Sequence, residues 1–407
     1  MTVEQINGGV CAPLGFTAAG IHCGIKPNNP KKDLALIYSR VPCKAAAVYT
    51  TNKVKGAPIA VTKDHIKNGH AQAVIVNSGN ANTCNADGAE KAQEMCLLAA
   101  NVLGIAADDV IVASTGVIGQ PLPIEPIASH IKELAEALSA DGSLGAAQAI
   151  MTTDTRVKEI AVEFEVDGTV CRLGGISKGS GMIHPNMATM LGFLTTDAAI
   201  KKSLLKEALS DAVNDTFNMV SVDGDTSTND MVSILASGLA DNKKICDRDS
   251  EGYQAFYAAL MEVCTYLARI MAKDGEGATK LIECKVHGAI SEEQATIVSK
   301  SVVMSSLTKA AVFGADANWG RILCAIGYAK VDVDVEKVDV AFQSKAGRIL
   351  VCKDGAGVAF DEKLAKNILL EDEIVIDINL NSGTFAKTAY GCDLTYDYVK
   401  INGDYRT

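Results

Sequence analysis

The chain has 407 residues, of which 48% are hydrophobic and 21% charged, and its net charge is −11. That is enough chain for a large buried core, organised as two or three domains' worth of structure or as one layered α/β unit. The acidic balance argues against a nucleic-acid surface, and no apolar stretch reaches the length of a membrane span. The N-terminus has neither the basic nor the apolar part of an export signal, so a cytoplasmic location is expected. Twelve cysteines are present without a Cys-x-x-Cys pair, the nearest neighbours being Cys11–Cys23 and Cys84–Cys96. Reduced, buried thiols are therefore expected, not disulfides or a zinc site.

Strands are predicted at 33–38 and 45–50, separated by Pro42, and at 72–76. The last runs into Asn77-Ser-Gly-Asn-Ala-Asn-Thr83, a strand tip that is either a site or a plain turn. A helix opens near Asp87 and runs to Leu103. Val110–Ala113 is a buried strand ending in Ser114-Thr115-Gly116, which offers a hydroxyl beside an exposed N–H. That suits an oxyanion hole, or an ordinary strand-end turn. A helix over 123–140 follows, then Met151-Thr-Thr-Asp-Thr155, a cap or a polar pocket wall. A hairpin over 159–173 turns at Asp167-Gly168.

The centre of the chain, 173–197, joins two apolar runs through a turn rich in glycine and containing Pro185. Thr189 lies in it, flanked by Ala188 and Met190. Helices are predicted over 200–216, 251–272 and 291–312. The loop 219–230 is polar; Asp223-Gly-Asp225 lacks the remaining ligands of a calcium loop, so no metal is expected. Glu276 stands between two glycines before a strand at 281–286. Strands follow at 338–342, 348–352, 373–380 and 388–399.

Two nucleophiles compete. Gly175-Ile-Ser177-Lys-Gly179 has the spacing of a serine-hydrolase elbow, but glycines and Pro185 stand where the helix is needed. Thr189 needs no histidine if the bond before it is cut, because its own α-amine, with an intrinsic pKa of roughly 7.7–8.0, then serves as base.

Lys178-Gly-Ser-Gly-Met-Ile-His-Pro-Asn-Met-Ala-Thr-Met-Leu191 resembles the self-cleavage motif of the ornithine acetyltransferase (glutamate N-acetyltransferase) family. The likeness continues through 77–82, Ser114–Gly119, Met151–Thr155, Asp274–Lys280, Gly314–Arg321 and Tyr405–Thr407, and departs from the family's more glycine-rich pattern at 83–87. The resemblance implies a layered α-β-β-α fold of the N-terminal-nucleophile kind, with a smaller strand-rich region from about 281. It implies cleavage between Ala188 and Thr189 into an α chain (1–188) and a β chain (189–407), which pair into an α2β2 tetramer. It makes Thr189 the nucleophile and assigns the oxyanion hole to Thr115 and Gly116. The substrate contacts it implies are Thr152 (or its neighbour Thr153), Lys178, Thr189, Glu276, Asn402 and Thr407. The implied substrates are N-acetylornithine and glutamate, with acetyl-CoA as a further possible donor and no cofactor. The rival readings are an amidase of the same fold, which passes the acyl group to water, and a non-catalytic binding protein.

Overall fold

A computed structural model describes residues 2–26, 30–184 and 190–403. Strands and helices are numbered in chain order. The larger sheet contains β1 (Glu4–Ile6), β2 (Phe16–Ile21), β3 (Leu34–Tyr49), β4 (His70–Asn80), β5 (Val110–Val117), β6 (Lys158–Val166), β7 (Thr169–Lys178) and β8 (Leu191–Thr196). The short β9 (Val220–Ser221) belongs elsewhere, and β10 (Met231–Ala236) completes the sheet. The order is β1-β6-β7-β8-β10-β3-β4-β5, with β2 also on β3.

β3 organises this sheet. Its first half pairs with β2 and β4, and its second half, Lys44–Tyr49, pairs with β10. The two strands expected at 33–38 and 45–50 are thus one. Pro42 sits inside it because the register with β4 shifts between Tyr38 and Cys43, where no ladder bond needs its missing N–H.

The sheet folds back on itself across β3, and alternating side chains separate the layers. Leu34, Leu36, Ile75 and Val112 face α2 (Gly88–Leu103) and α3 (Glu125–Glu136). Their neighbours Ala35, Ile37, Val74 and Ile111 face inward, against Ile176, Phe193, Met231 and Leu235 of the other half. On the far side Val162, Leu173, Leu194 and Ile234 meet α5 (Lys202–Asp215) and α6 (Glu251–Lys273). The result is helix, sheet, sheet, helix, the expected α-β-β-α layering. The small helices α1 (Ala57–His65) and α4 (Ser143–Ala149) pack on β5 and on β2, respectively. β8 and β10 are buried at every residue, as central strands covered on both faces must be.

The second sheet is built from β9, β11 (Leu281–Ala289), β12 (Asp339–Ser344), β13 (Gly347–Lys353), β14 (Ala356–Gly357), β15 (Glu373–Asn379) and β16 (Phe385–Cys392), in the order β14-β13-β12-β15-β11-β16-β9. α6 touches β6 and β7 of the first sheet and β11 and β16 of the second, so it is shared by both. Its 23 residues are long and apolar enough by length and composition to cross a membrane, contrary to the reading of the sequence, but more than half of that window is buried in the protein. It is a core helix.

Two further differences have local causes. The helix expected over 291–312 is two, α7 (Glu292–Met304) and α8 (Ser306–Phe313), because Ser305 turns extended and caps the second through the Thr308 N–H. The strand expected to 399 ends at Cys392. α9 (Trp319–Gly327) and α10 (Glu362–Leu369) precede it, and α11 (Tyr396–Gly403) follows it.

Candidate active site

The ends of four strands of the larger sheet converge on a cavity of about 290 Å³. β5 supplies Thr115, Gly116 and Val117; β7 supplies Lys178; the start of β8 supplies Met190 and Leu191; and the turn into β10 supplies Ser227–Asp230. Thr152, Thr153, Glu276 and Asn402 complete the wall. Six of the expected site residues, Thr115, Gly116, Thr152, Lys178, Glu276 and Asn402, thus share one cavity although they span most of the sequence. Ala188, Thr189 and Thr407 lie outside the described residues; Met190, the next residue after Thr189, is on the cavity wall.

Two glycines are required by close approach. Gly116 has φ +135°, and a Cβ there would lie 2.3 Å from the Gly79 carbonyl carbon, so β4 and β5 can touch only without it. A Cβ on Gly181 would fall 2.2 Å from the Glu276 carboxyl carbon.

Asn229 holds the tip of β5 in place. Its Nδ2 donates to the carbonyls of Ala81 (2.5 Å) and Ser114 (3.0 Å), and its Oδ1 accepts from the Thr83 hydroxyl (2.6 Å). The residue before Thr115 is therefore tied to the loop after β4. Sequence reasoning missed Asn229; its only signal was an Asn-Asp pair closing a polar stretch just before an apolar run.

Beneath the cavity lies a fully buried charge cluster. Lys158 donates to Asp154 (2.7 Å), Asp274 (2.5 Å) and the Arg156 carbonyl (3.3 Å). Asp154 also accepts the N–H groups of Thr152 (3.0 Å) and Gly179 (2.7 Å). Asp274 accepts the Thr155 N–H and hydroxyl and the Arg156 N–H. Burial opposes ionisation of Asp154, but Lys158 and Lys178 outweigh it and hold the carboxyl well below its usual range. The Met151–Thr155 segment is thus a pocket wall, and Lys158 is a second residue that sequence reasoning missed.

Lys178 is also buried, and desolvation lowers its pKa against the pull of Asp154, Asp230 and Glu276. Glu276 donates its N–H to the Ser180 carbonyl (2.9 Å) and accepts from Asn402 Nδ2 (2.8 Å), which joins α11 to the loop after α6. Asp223, in the acidic loop, clamps the turn after β7 through the N–H groups of Met182 (2.7 Å) and Ile183 (2.8 Å). Among the described residues no group of three or more His, Cys, Asp or Glu is arranged to hold a metal.

Ser177 is not an elbow nucleophile. It pairs within β7 with Lys158 and Gly192, is buried, and is followed by one more strand residue and a bend, not a helix. Nine of the twelve cysteines are buried, and all twelve are free. Burial pushes the thiols of Cys11, Cys23 and Cys96 up to about 12.

The sequence pattern of the ArgJ family matches residues 17–407. The arginine biosynthesis bifunctional protein ArgJ of Caldanaerobacter subterraneus subsp. tengcongensis is 51% identical over 406 residues, covering 100% of both chains. The protein of the same name from Symbiobacterium thermophilum is 52% identical over 407 residues, again across 100% of both. A crystal structure of the arginine biosynthesis bifunctional protein ArgJ from Bacillus halodurans is 48% identical, with a TM-score of 0.50, and its match covers 52% of this chain and 98% of the solved one.

Proposed function

The chain belongs to the ArgJ family, and from that premise we propose that it moves the acetyl group of N-acetylornithine to glutamate through an acetyl-Thr189 intermediate, in arginine biosynthesis. The observation that carries this reading is the shared cavity: the hydroxyl and N–H of Thr115–Gly116, the cation of Lys178 and the carboxylate of Glu276 face the segment that begins at Met190.

The chemistry starts with cleavage between Ala188 and Thr189, which frees the Thr189 α-amine. The amine takes the hydroxyl proton and Oγ attacks the acetyl carbonyl. The Thr115 hydroxyl and the Gly116 N–H donate to the resulting oxyanion, a contribution of about 2.7–4 kcal/mol per donor in comparable sites. The carbon–nitrogen bond breaks, the amine proton passes to the leaving nitrogen, and ornithine departs. Glutamate then attacks the acetyl ester and the same steps run in reverse. Both amino acids are zwitterions. Lys178 offers charge for a carboxylate; Glu276, oriented by Asn402, offers charge for an ammonium group, and Thr407 is a further contact the family resemblance implies. Thr152 or Thr153 adds a polar contact at the wall. No cofactor is needed, and acetyl-CoA is a candidate second donor.

Nearly all of the solved relative's chain is matched by about half of this one, as a fragment of a cut precursor would be. That supports an α chain of 1–188 and a β chain of 189–407, for which the family resemblance implies an α2β2 assembly and the sequence reading a cytoplasmic location. Purified protein assayed with N-acetylornithine, with and without glutamate, tests the activity. Acetylglutamate formation that depends on both, and its loss in Thr189→Val, is the expected result. Acetate release indifferent to glutamate points to the amidase instead.

A further inference from the structure

Self-cleavage has a requirement that acetyl transfer does not. Until the bond before Thr189 is cut there is no α-amine, so another group must take the hydroxyl proton and supply one to the departing nitrogen. Asp230 meets the conditions. It is 4% exposed and lies on the cavity wall with Lys178, Met190 and Glu276. The Met190 N–H and the Ser227 hydroxyl lie near enough to its carboxyl group to favour the charged form. Its Oδ2, equally buried, has no hydrogen-bond partner among the described residues.

The placement is rigid. The Met231 N–H donates back to the Met190 carbonyl (3.1 Å), and the Asp230 carbonyl accepts the Thr50 N–H (3.0 Å). The Met190 nitrogen is three covalent bonds from the nitrogen of residue 189, at most about 4.3 Å by summed bond lengths. A buried oxygen without a donor is uncommon in folded proteins and calls for an explanation, such as a catalytic role, a ligand or a bound water. Desolvation pushes the Asp230 carboxyl well above its usual range, with the Met190 N–H and Lys178 opposing, so its neutral, proton-bearing form is favoured. Lys178 on β7 and Glu276 on the loop after α6 are the other charged groups facing the same cavity.

Resting on the cleavage reading above, we propose that Asp230 is the proton carrier of self-cleavage. Its Oδ2–H protonates the nitrogen of residue 189 as the Ala188 C–N bond breaks. The Thr189 hydroxyl proton, released as Oγ bonds to the Ala188 carbonyl carbon, returns to the carboxylate. The products are an ester and a free amine, with Asp230 regenerated. Water then splits the ester into the Ala188 carboxylate and the Thr189 hydroxyl.

The test follows cleavage of full-length wild type and Asp230→Asn by denaturing gel and intact mass. Asn keeps an acceptor for Met190 and Ser227 but cannot carry the proton. The expected result is a cleavage half-life at least about tenfold longer, with Tm unchanged or higher. Hydroxylamine, which cuts esters but not amides, does not restore cutting, because the ester never forms. Cutting at the wild-type rate overturns the proposal, as does an Asn variant that hydroxylamine cleaves, since that places the block at ester hydrolysis. A wild-type chain that itself stays whole sinks the cleavage reading first, and this proposal with it. Should the Asn variant not fold, Asp230→Glu is expected to cut slowly yet to completion, and a wild-type rate there counts against the assignment.

Discussion

Asp154 and Asp230 are both buried acids whose charge is felt by Lys178, yet their surroundings are opposite. Asp154 belongs to a saturated cluster in which Lys158 and two backbone donors, the N–H groups of Thr152 and Gly179, use its oxygens. Asp230 keeps one oxygen with no donor among the described residues. The first arrangement is a scaffold, because removing any member strands a charge in low dielectric. The second is reactive, because its solvation is left incomplete. The cavity therefore has a rigid floor and a chemically unfinished wall.

The largest expected effect is on the floor. Lys158→Met strands the carboxylates of Asp154 and Asp274, and a loss of about 3–5 kcal/mol in denaturant unfolding is expected. A loss near zero would erase the distinction between floor and wall. Thr115→Val makes the opposite test at the wall. It keeps the shape of a half-buried strand residue and removes a hydroxyl, so kcat is expected to fall about 10²–10³-fold while Tm stays put. Equal losses in kcat and stability would mean that Thr115 is structural.

The two acids also predict opposite pH slopes. The carboxyl of Asp154 is depressed in the fold, so its stabilisation is present above the unfolded value of roughly 3.9 and is lost as pH falls towards the folded one. That of Asp230 is raised, so its favourable contribution is full below roughly 3.9 and is lost as pH rises through the folded value. Unfolding free energies measured from pH 3 to 8 should show Asp154→Asn flattening the acid limb. Asp230→Asn should remove a decline on the neutral side. Parallel profiles would refute the contrast. The smallest effect belongs to the rim, where Asn402 is exposed and makes one bond to Glu276. Asn402→Ala should cost about 1 kcal/mol, seen as a several-fold rise in KM with kcat nearly kept.

Much of this was readable along the chain. Apolar runs marked β4 and β5, the Asp167-Gly168 turn marked the β6–β7 hairpin, and the glycine-rich turn after Lys178 announced an unusual centre. The long motifs named six residues that share the cavity. What local pattern did not carry were the partners. Nothing around Lys158 distinguishes it from a solvated lysine, and Asn229 and Asp230 read as the end of a polar loop. Pro42 argued for a break that a register shift made unnecessary, and the stretch after Cys392 read as strand where the chain turns into α11.

The sequence by itself determined the apolar strands and the glycines that permit close approach, because each depends on neighbours a few residues away, and its long motifs pointed to the candidate site residues. Only the tertiary structure decided which buried acid is saturated and which is left with a bare oxygen. Hydrogen-bond satisfaction depends on groups brought together from distant parts of the chain: Lys158 reaches across 116 positions to Asp274, and Asn229 across 148 to Ala81. No local periodicity records those meetings.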